Sequence, residues 1–252
     1  MLSFDTTRDR AETRVRVKAY KALRRVYLIT AQTIENQGPR AADVQLDSII
    51  TSQIFLDLLA NIYETEGATF YLWQQNEFRK YKKDFVRNDF EVGFFSEIWK
   101  QIMGRIMSSP NLLLRIEQMA LTTKNDLRSI ISLGLQEGYG SRKIAQLIKN
   151  RTDVLRKRAE RIARTETTHA ASLGQKEAAK NSTLPLVKVW VSAKDERTRD
   201  SHFNANSQRV AKDGFFIVGG EKMEFPGDSS APAKEVVNCR CSVAYVVDEE
   251  RI

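Results

Sequence analysis

The chain has 252 residues, 42% of them hydrophobic, and carries 40 Lys and Arg against 32 Asp and Glu, which gives a net charge of +8. The hydrophobic content excludes wholesale disorder, and the length allows one large domain or two of ordinary size. The basic surplus favours an acidic partner such as nucleic acid, while a solvated surface of mixed charge is the simpler alternative.

Neither a membrane span nor a secretory leader is expected. The sequence contains no run of about 18 apolar residues, and its N-terminus lacks an apolar core of signal-peptide length. We therefore expect the protein to stay in the compartment where it is made. The two cysteines, Cys239 and Cys241, are too few for a disulfide framework and too close for an unstrained bond, which favours a reduced, cytosolic setting.

Before Pro185 the apolar residues recur at helical spacing. The clearest early stripe consists of Val17, Tyr20, Leu23, Val26, Tyr27 and Ile29. Gly38 and Pro39 predict a break after it, and helical patterns resume beyond the break. The aromatic-rich segment from Phe70 to Trp99 is predicted to belong to the core rather than to a contact surface, because aromatic side chains dominate core burial.

After Pro185 the pattern changes to that of strands. The segment "PLVKVWVSA" alternates, with Val187, Val189 and Val191 on one side, and "VVNCRCSVAYVVDE" is predicted as a closing strand. The sequence therefore predicts a mixed fold, in which a long helical N-terminal region is followed by a small α+β C-terminal module.

The last long helix carries an excess of basic residues. The candidates for contact with nucleic acid, called the basic ridge below, are Arg151, Arg158, Arg161 and Lys176. Arginines three to four positions apart lie on one helix face and can follow a phosphate backbone without reading bases. The alternative is a solvated face with local ion pairs such as Glu160 with Arg164, which are worth only about 0.3–0.5 kcal/mol each.

Further along the same helix, Arg164, Glu166 and His169 invite two interpretations. Glu166 and His169 stand three residues apart, so on a helix they are neighbours that can share a proton. No nucleophile or oxyanion donor accompanies them. The simpler hypothesis is that Arg164 and Glu166 anchor this helix to the C-terminal module through ion pairs.

A metal site is the third candidate. An imidazole and two thiolates are good zinc ligands, and His202, Cys239 and Cys241 supply them. Alternate residues of a strand point the same way, so the two sulfurs can face one point, with Asp195, Asp200 or water as the fourth ligand. The alternative is that both cysteines are small buried strand residues and that His202 forms a hydrogen bond across the turn.

Three segments together resemble the phage head morphogenesis family, the Mu F-like minor head proteins. They are "ARTETTHAASLGQKEA", "KVWVSAKDERTRDSHFNANSQRV" and "FPGDSSAPAKEVVNCRC", in that order. The residues that match the family pattern are Arg164, Thr165, Glu166, Thr167, Trp190, Asp195, Arg197, Thr198, Arg199, His202, Asn238, Cys239, Arg240 and Cys241. The helical spacing predicts a helical arm or docking region at 1–122, whereas the resemblance covers roughly residues 125 to 247 and implies a head-morphogenesis domain at 123–252. Within that domain it implies helices at 123–182 and an α+β part at 183–252.

The resemblance also implies a function. It indicates a low-copy structural protein of a tailed-phage head, made in the host cytoplasm, built into the virion at the portal vertex or capsid interior, and needed for infectious particles. The implied partners are the portal or major capsid protein, with packaged DNA as a further candidate and no membrane. It implies no catalytic residue, so no enzymatic activity is expected and zinc is the only cofactor considered.

Two alternatives stay open. The first is an accessory DNA-binding protein of the virion that uses the basic ridge. The second is a phosphodiester-cleaving enzyme, in which a small cationic site stabilises the charge of the transition state. The residues of that site would be His202, Arg197, Arg199 and His169.

Overall fold

Helices occupy most of the chain up to Lys180, and short strands follow. The computed structural model describes residues 3–81 and 92–248. The first helices are α1 (Phe4–Gln37), α2 (Pro39–Ile49), α3 (Ser52–Ile62), a π-helical turn (Tyr63–Gly67), α4 (Ala68–Arg79), α5 (Val92–Met107), α6 (Pro110–Gln136), α7 (Ser141–Lys149) and α8 (Thr152–Lys180). The remaining elements are β1 (Leu186–Val191), α9 (Asp200–Asn204), β2 (Arg209–Ala211), β3 (Phe216–Val218), β4 (Glu221–Met223), α10 (Ala233–Val236) and β5 (Ser242–Val247). This order confirms the predicted mixed fold class.

The helix ends follow from glycine and proline. Gly38, at φ +88°, precedes α2, and Pro39 takes the first helical position, where a missing N–H costs little. At the end of α6, Gly138 lies at φ +69° and the N–H of Tyr139 bonds the carbonyl of Gly134 at 2.8 Å. The break at Gly38 and Pro39 is the one that the sequence predicted. None of the helices in the described ranges is both long and apolar enough to cross a membrane.

The described residues fall into two units made of interleaved segments. The motif unit contains the described parts of Met1–Val15, Ala60–Ser108 and Arg161–Ile252. The helical unit contains Arg16–Leu59 and Ser109–Glu160. The division predicted between residues 122 and 123 falls inside α6. The predicted boundary refers to the extent of a family domain rather than to these compact units, and it stays a prediction.

Within the helical unit, α1 buries a face that differs in part from the predicted stripe. Leu23, Val26 and Tyr27 are buried as expected. Val17 and Ile29, however, are 46% and 38% exposed, so their place in the predicted core stripe was wrong. Ala19 and Ala31, which the stripe did not include, are fully buried instead.

The sheet of the motif unit has the order β2-β1-β5 with antiparallel pairing, and β3 and β4 form a separate antiparallel pair. Val187, Val189 and Val191 share one side of β1, as predicted. The buried side is the other one, which carries Leu186, Lys188 and Trp190. The Lys188 ammonium donates to the carbonyl of Glu224 at 2.7 Å, which satisfies this buried charge.

Aromatic residues from the segment Phe70–Trp99 lie in the core of the same unit. Phe70, Tyr71, Phe78 and Trp99 are all at most 5% exposed, so the core interpretation is confirmed for them. Tyr81 is 59% exposed, so the interpretation was wrong for this residue. Phe85 and Phe90 lie outside the described residues, and so do the side chains of Phe94 and Phe95.

Candidate functional site

The three sequence motifs of the motif unit meet around one turn. The middle of α8 carries Arg164 to Thr168, the loop after β1 carries Asp195 to Arg199, and α9 carries His202. The turn between α10 and β5 carries Asn238 to Cys241. Hydrogen bonds connect each of the first two segments to this turn, which we call the cysteine turn.

The predicted closing strand begins later than the sequence indicates. β5 starts at Ser242, so the placement of Cys239 and Cys241 on a strand was wrong. Asn238 adopts φ +60°, a left-handed conformation that asparagine tolerates better than most residues, and it bends the chain before the strand. The bend nevertheless brings both sulfurs to one imidazole. The Nδ1 atom of His202 lies 3.6 Å from Cys239 Sγ and 3.4 Å from Cys241 Sγ.

Helix α8 holds the cysteine turn from one side. The hydroxyl of Thr165 accepts the N–H of Asn238 at 3.0 Å, and the hydroxyl of Thr168 donates to the carbonyl of Cys239 at 2.7 Å. Arg164 donates to the side-chain oxygen of Asn238 at 3.4 Å. Helix α8 therefore contacts the cysteine turn through Arg164 and two threonine hydroxyls. The ion pair of Arg164, however, is made with Glu12 of α1 at 3.5 Å, so the predicted ion-pair anchor to the C-terminal module was wrong.

Glu166 contacts a different part of the unit. Its buried carboxylate accepts a hydrogen bond from the hydroxyl of Tyr63, in the π-helical turn, at 2.7 Å. The predicted ion pair of Glu166 with the C-terminal module is thus replaced by a bond to the helical part. His169 donates from Nδ1 to the carbonyl of Gly227 at 2.7 Å, and its sharing of a proton with Glu166 stays a prediction.

The loop after β1 holds the cysteine turn from the other side. Asp195 binds both terminal nitrogens of Arg240, and Arg199 donates to the carbonyl of Val237. Asp195 also accepts the backbone N–H of Arg197 at 3.0 Å, which closes its own loop. The guanidinium of Arg240 lowers the pKa of Asp195 well below its usual range. The Arg197 side chain itself is mostly exposed.

His202 is oriented by a residue that the sequence did not single out. The imidazole is 1% exposed, and its Nε2 donates to Glu235 at 3.0 Å. The same carboxylate accepts the hydroxyl of Ser201 at 2.8 Å. Nε2 therefore faces Glu235, and Nδ1 faces the two sulfurs. Trp190 packs edge-on against this ring at 5.5 Å between centroids.

The two thiols differ in acidity. The pKa of Cys241 falls to about 5, because Cys239 donates a hydrogen bond to its sulfur and His202 adds a further contact. The same interaction, with burial, raises the pKa of Cys239. Among the described residues, these two thiols and His202 form a group whose ligand atoms lie within 4.8 Å of one another. Of the predicted fourth ligands, Asp195 bonds Arg240 and Asp200 is exposed, so neither is placed at the sulfurs.

The residues of the basic ridge mostly make internal bonds. In the helical unit, Arg151 pairs with Asp126 at 2.6 Å, and Arg158 donates to the carbonyl of Met119 at 2.9 Å. In the motif unit, Lys176 pairs with Glu224, whereas Arg161 is exposed. Contact of this helix with nucleic acid stays a prediction, and Arg161 is the residue best placed for it.

Comparison with known proteins places these motifs in a family. The family described as Phage Mu protein F like protein matches residues 125–244. The Minor head protein GP7 of Bacillus phage SPP1 is 28% identical over 163 residues, which are 62% of this chain and 53% of that protein. The uncharacterized protein YqbB of Bacillus subtilis is 28% identical over 138 residues, covering 53% of this chain and 45% of that protein.

A third relative carries an enzyme name. The NAD(+)--arginine ADP-ribosyltransferase EFV of Enterococcus faecalis is 34% identical over 128 residues, half of this chain but only 26% of that protein. The chain thus spans about half of the length of two of these relatives and a quarter of the third. No solved structure matches it significantly. Residues 125–244 of this chain thus match the Mu F-like head morphogenesis family, and the likeness to a minor head protein agrees with that match.

Proposed function

We propose that this chain is a minor head protein of a tailed bacteriophage, a structural part of the virion that acts in head assembly near the portal vertex. The observation that carries the proposal is the family match of the segment that bears all three motifs. The likeness to a relative named as a minor head protein supports the same role.

The contacts of the motif residues also favour a structural role. Asp195, Arg199 and Arg240 bind one another or backbone carbonyls across the cysteine turn. The two histidines of the enzyme alternative are buried, His169 at 7% exposed and His202 at 1%. Side chains that fix a turn and are shielded from solvent suit a scaffold better than an open cationic site for a phosphodiester.

A groove of about 830 Å³ in the helical unit offers a docking surface for a head partner. Its apolar part is formed by Val17, Leu28 and Ile29, all more than a third exposed. The basic residues that line it are Arg16, Lys21, Arg24, Arg25 and Arg156, against one acid, Glu160. An apolar floor with a basic rim is complementary to an acidic amphipathic helix. The occupant we propose is such a helix of the portal or major capsid protein.

Deletion of the gene from the phage or prophage that encodes it tests the proposal. We expect loss of infectious particles and full recovery when the wild-type chain is supplied from a plasmid. A deletion that leaves the yield of infectious particles unchanged contradicts the proposal. A deletion that blocks DNA cleavage but not head formation favours the enzyme alternative.

A further inference from the structure

Three ligand atoms converge in the motif unit with spacing that suits a metal ion. They are Nδ1 of His202 and the two sulfurs of the cysteine turn, all within 4.8 Å of one another. Zinc bonds are about 2.3 Å to sulfur and about 2.0–2.1 Å to nitrogen, so tetrahedral angles require about 3.6 Å between a sulfur and a nitrogen ligand. The observed separations are 3.6 Å to Cys239 and 3.4 Å to Cys241.

The contact at the remote nitrogen orients the imidazole for a metal. Nε2 of His202 lies 3.0 Å from a Glu235 oxygen, and this places Nδ1 on the side of the ring that faces the sulfurs. A carboxylate on the remote nitrogen is the usual outer partner of a zinc-bound histidine. Glu235 is itself held by Ser201 and shielded at 5% exposure. Gly219 leaves room for it, since a Cβ there would lie 2.6 Å from a Glu235 oxygen.

The cysteine turn is fixed by contacts that do not involve a metal. Thr165 and Thr168 hold the backbone of Asn238 and Cys239, and Asp195 holds the side chain of Arg240. Arg240 therefore points away while the cysteines on both sides of it face His202. A preorganised set of soft sulfur and imidazole ligands favours zinc over magnesium or calcium, which prefer oxygen.

We propose that His202, Cys239 and Cys241 bind one zinc ion, with Glu235 as the positioning residue and a water-sized exogenous ligand in the fourth position. The ion joins α9 to the turn before β5 and so stabilises the part of the motif unit where the three motifs meet. Its three protein ligands are at most 3% exposed, which favours a structural role for the ion over a site open to a substrate.

Metal analysis of the full chain tests the proposal. The protein is purified without chelators and in the presence of a phosphine reductant. Its zinc content is then measured by inductively coupled plasma mass spectrometry. We expect close to one zinc per chain. His202→Gln and Cys241→Ser should each lose it, whereas His169→Gln, which changes a buried histidine outside the site, should retain it.

Cobalt substitution decides the question even if a ligand variant does not fold. Wild-type protein stripped of metal should bind one Co²⁺ and show thiolate-to-cobalt charge-transfer bands with the intense visible bands of tetrahedral cobalt. Glu235→Gln should weaken metal affinity about 10- to 100-fold at unchanged stoichiometry. Glu196→Gln, an exposed change in a neighbouring loop, should leave the affinity unchanged.

Two results would overturn the proposal. One is a folded, fully reduced wild-type chain that contains no stoichiometric zinc and gives no charge-transfer band with Co²⁺. The other is a charge-transfer band that persists unchanged in the Cys239→Ser variant, because the Cys239 sulfur would then not be a ligand.

Discussion

The hydroxyl of Thr168 in α8 donates a hydrogen bond of 2.7 Å to the backbone carbonyl of Cys239, 71 residues further along the chain. Thr165, one turn earlier, accepts the N–H of the adjacent Asn238. Two threonines of one helix face thus satisfy the backbone of the cysteine turn. These bonds connect the Arg-Thr-Glu-Thr-Thr string of α8 to the Asn-Cys-Arg-Cys string of the cysteine turn.

Replacing Thr168 with valine should destabilise the motif unit. The change keeps the shape of the side chain but leaves the buried carbonyl of Cys239 without its donor, at a cost of about 1–3 kcal/mol. Thr69→Val is the matched control, since the Thr69 hydroxyl bonds only a carbonyl one turn back on an exposed helix face. Denaturant unfolding measures the loss of unfolding free energy in both variants. Equal losses in the two variants would contradict the proposed role of Thr168.

Gly174 marks a close approach between α8 and the π-helical turn. A Cβ at this position would lie 2.3 Å from the carbonyl oxygen of Gly67 and 2.9 Å from the backbone nitrogen of Tyr71. Gly174→Ala should therefore lower the free energy of unfolding by about 2–3 kcal/mol, because rigid backbone atoms must move apart. Gly104→Ala, where a Cβ meets nothing within 4 Å, should instead raise it by about 0.5–1 kcal/mol. A neutral Gly174→Ala would show that the helices are not in this contact.

The Asp195–Arg240 pair predicts a pH dependence of stability. Arg240 depresses the pKa of Asp195 in the folded state, so the pair stabilises the fold above the unfolded pKa of about 4 and loses this effect as the pH falls further. The stability difference between wild type and Asp195→Asn should be constant near neutral pH and shrink below about 4. The midpoints of urea unfolding of both proteins, recorded between pH 7 and pH 2, measure this difference.

The control for this pair is Asp153→Asn. Its carboxylate is 87% exposed and pairs with Arg156, three residues away on the same helix. Its effect should be small at every pH. A difference for Asp195→Asn that grows as the pH falls would contradict the predicted sign.

Charge reversal at the groove of the helical unit tests the docking surface. Arg24→Glu combined with Arg25→Glu should weaken capture of the purified portal or major capsid protein of the same phage at least tenfold at low salt. The control is Arg40→Glu combined with Arg142→Glu, which makes the same change of charge at exposed sites of the same unit. This control should not weaken the capture. If the Arg24 and Arg25 variant instead loses only DNA binding, the groove belongs to DNA.

The fold class could be predicted from the sequence because helical spacing, glycine breaks and strand alternation are local signals. The buried face of α1 could not, since Ala19 and Ala31 are fully buried while Val17 and Ile29 are exposed. Counting large apolar residues overlooks alanine at close helix contacts. The internal contacts of Arg151 and Arg158 could not be predicted either, because their partners Asp126 and Met119 are distant in sequence.

The candidate site could be predicted in part. His202, Cys239 and Cys241 were identified from their chemistry, and the structure brings them together. Glu235 was missed although it lies within the third quoted segment, because its partner His202 stands 33 residues away. The left-handed Asn238 was missed as well, since the alternation of the flanking valines favoured an unbroken strand. Both omissions concern long-range or backbone contacts that spacing does not encode.

Quantitative mass spectrometry of purified particles tests the assignment to the phage head most directly. Copies of this chain are counted against the portal protein in DNA-filled heads of the phage that encodes it, separated from empty heads and free protein. We expect a low, fixed number of copies per head that survives washing in high salt. Complete absence from every head fraction, with the chain abundant in the lysate, would contradict a structural role in the virion.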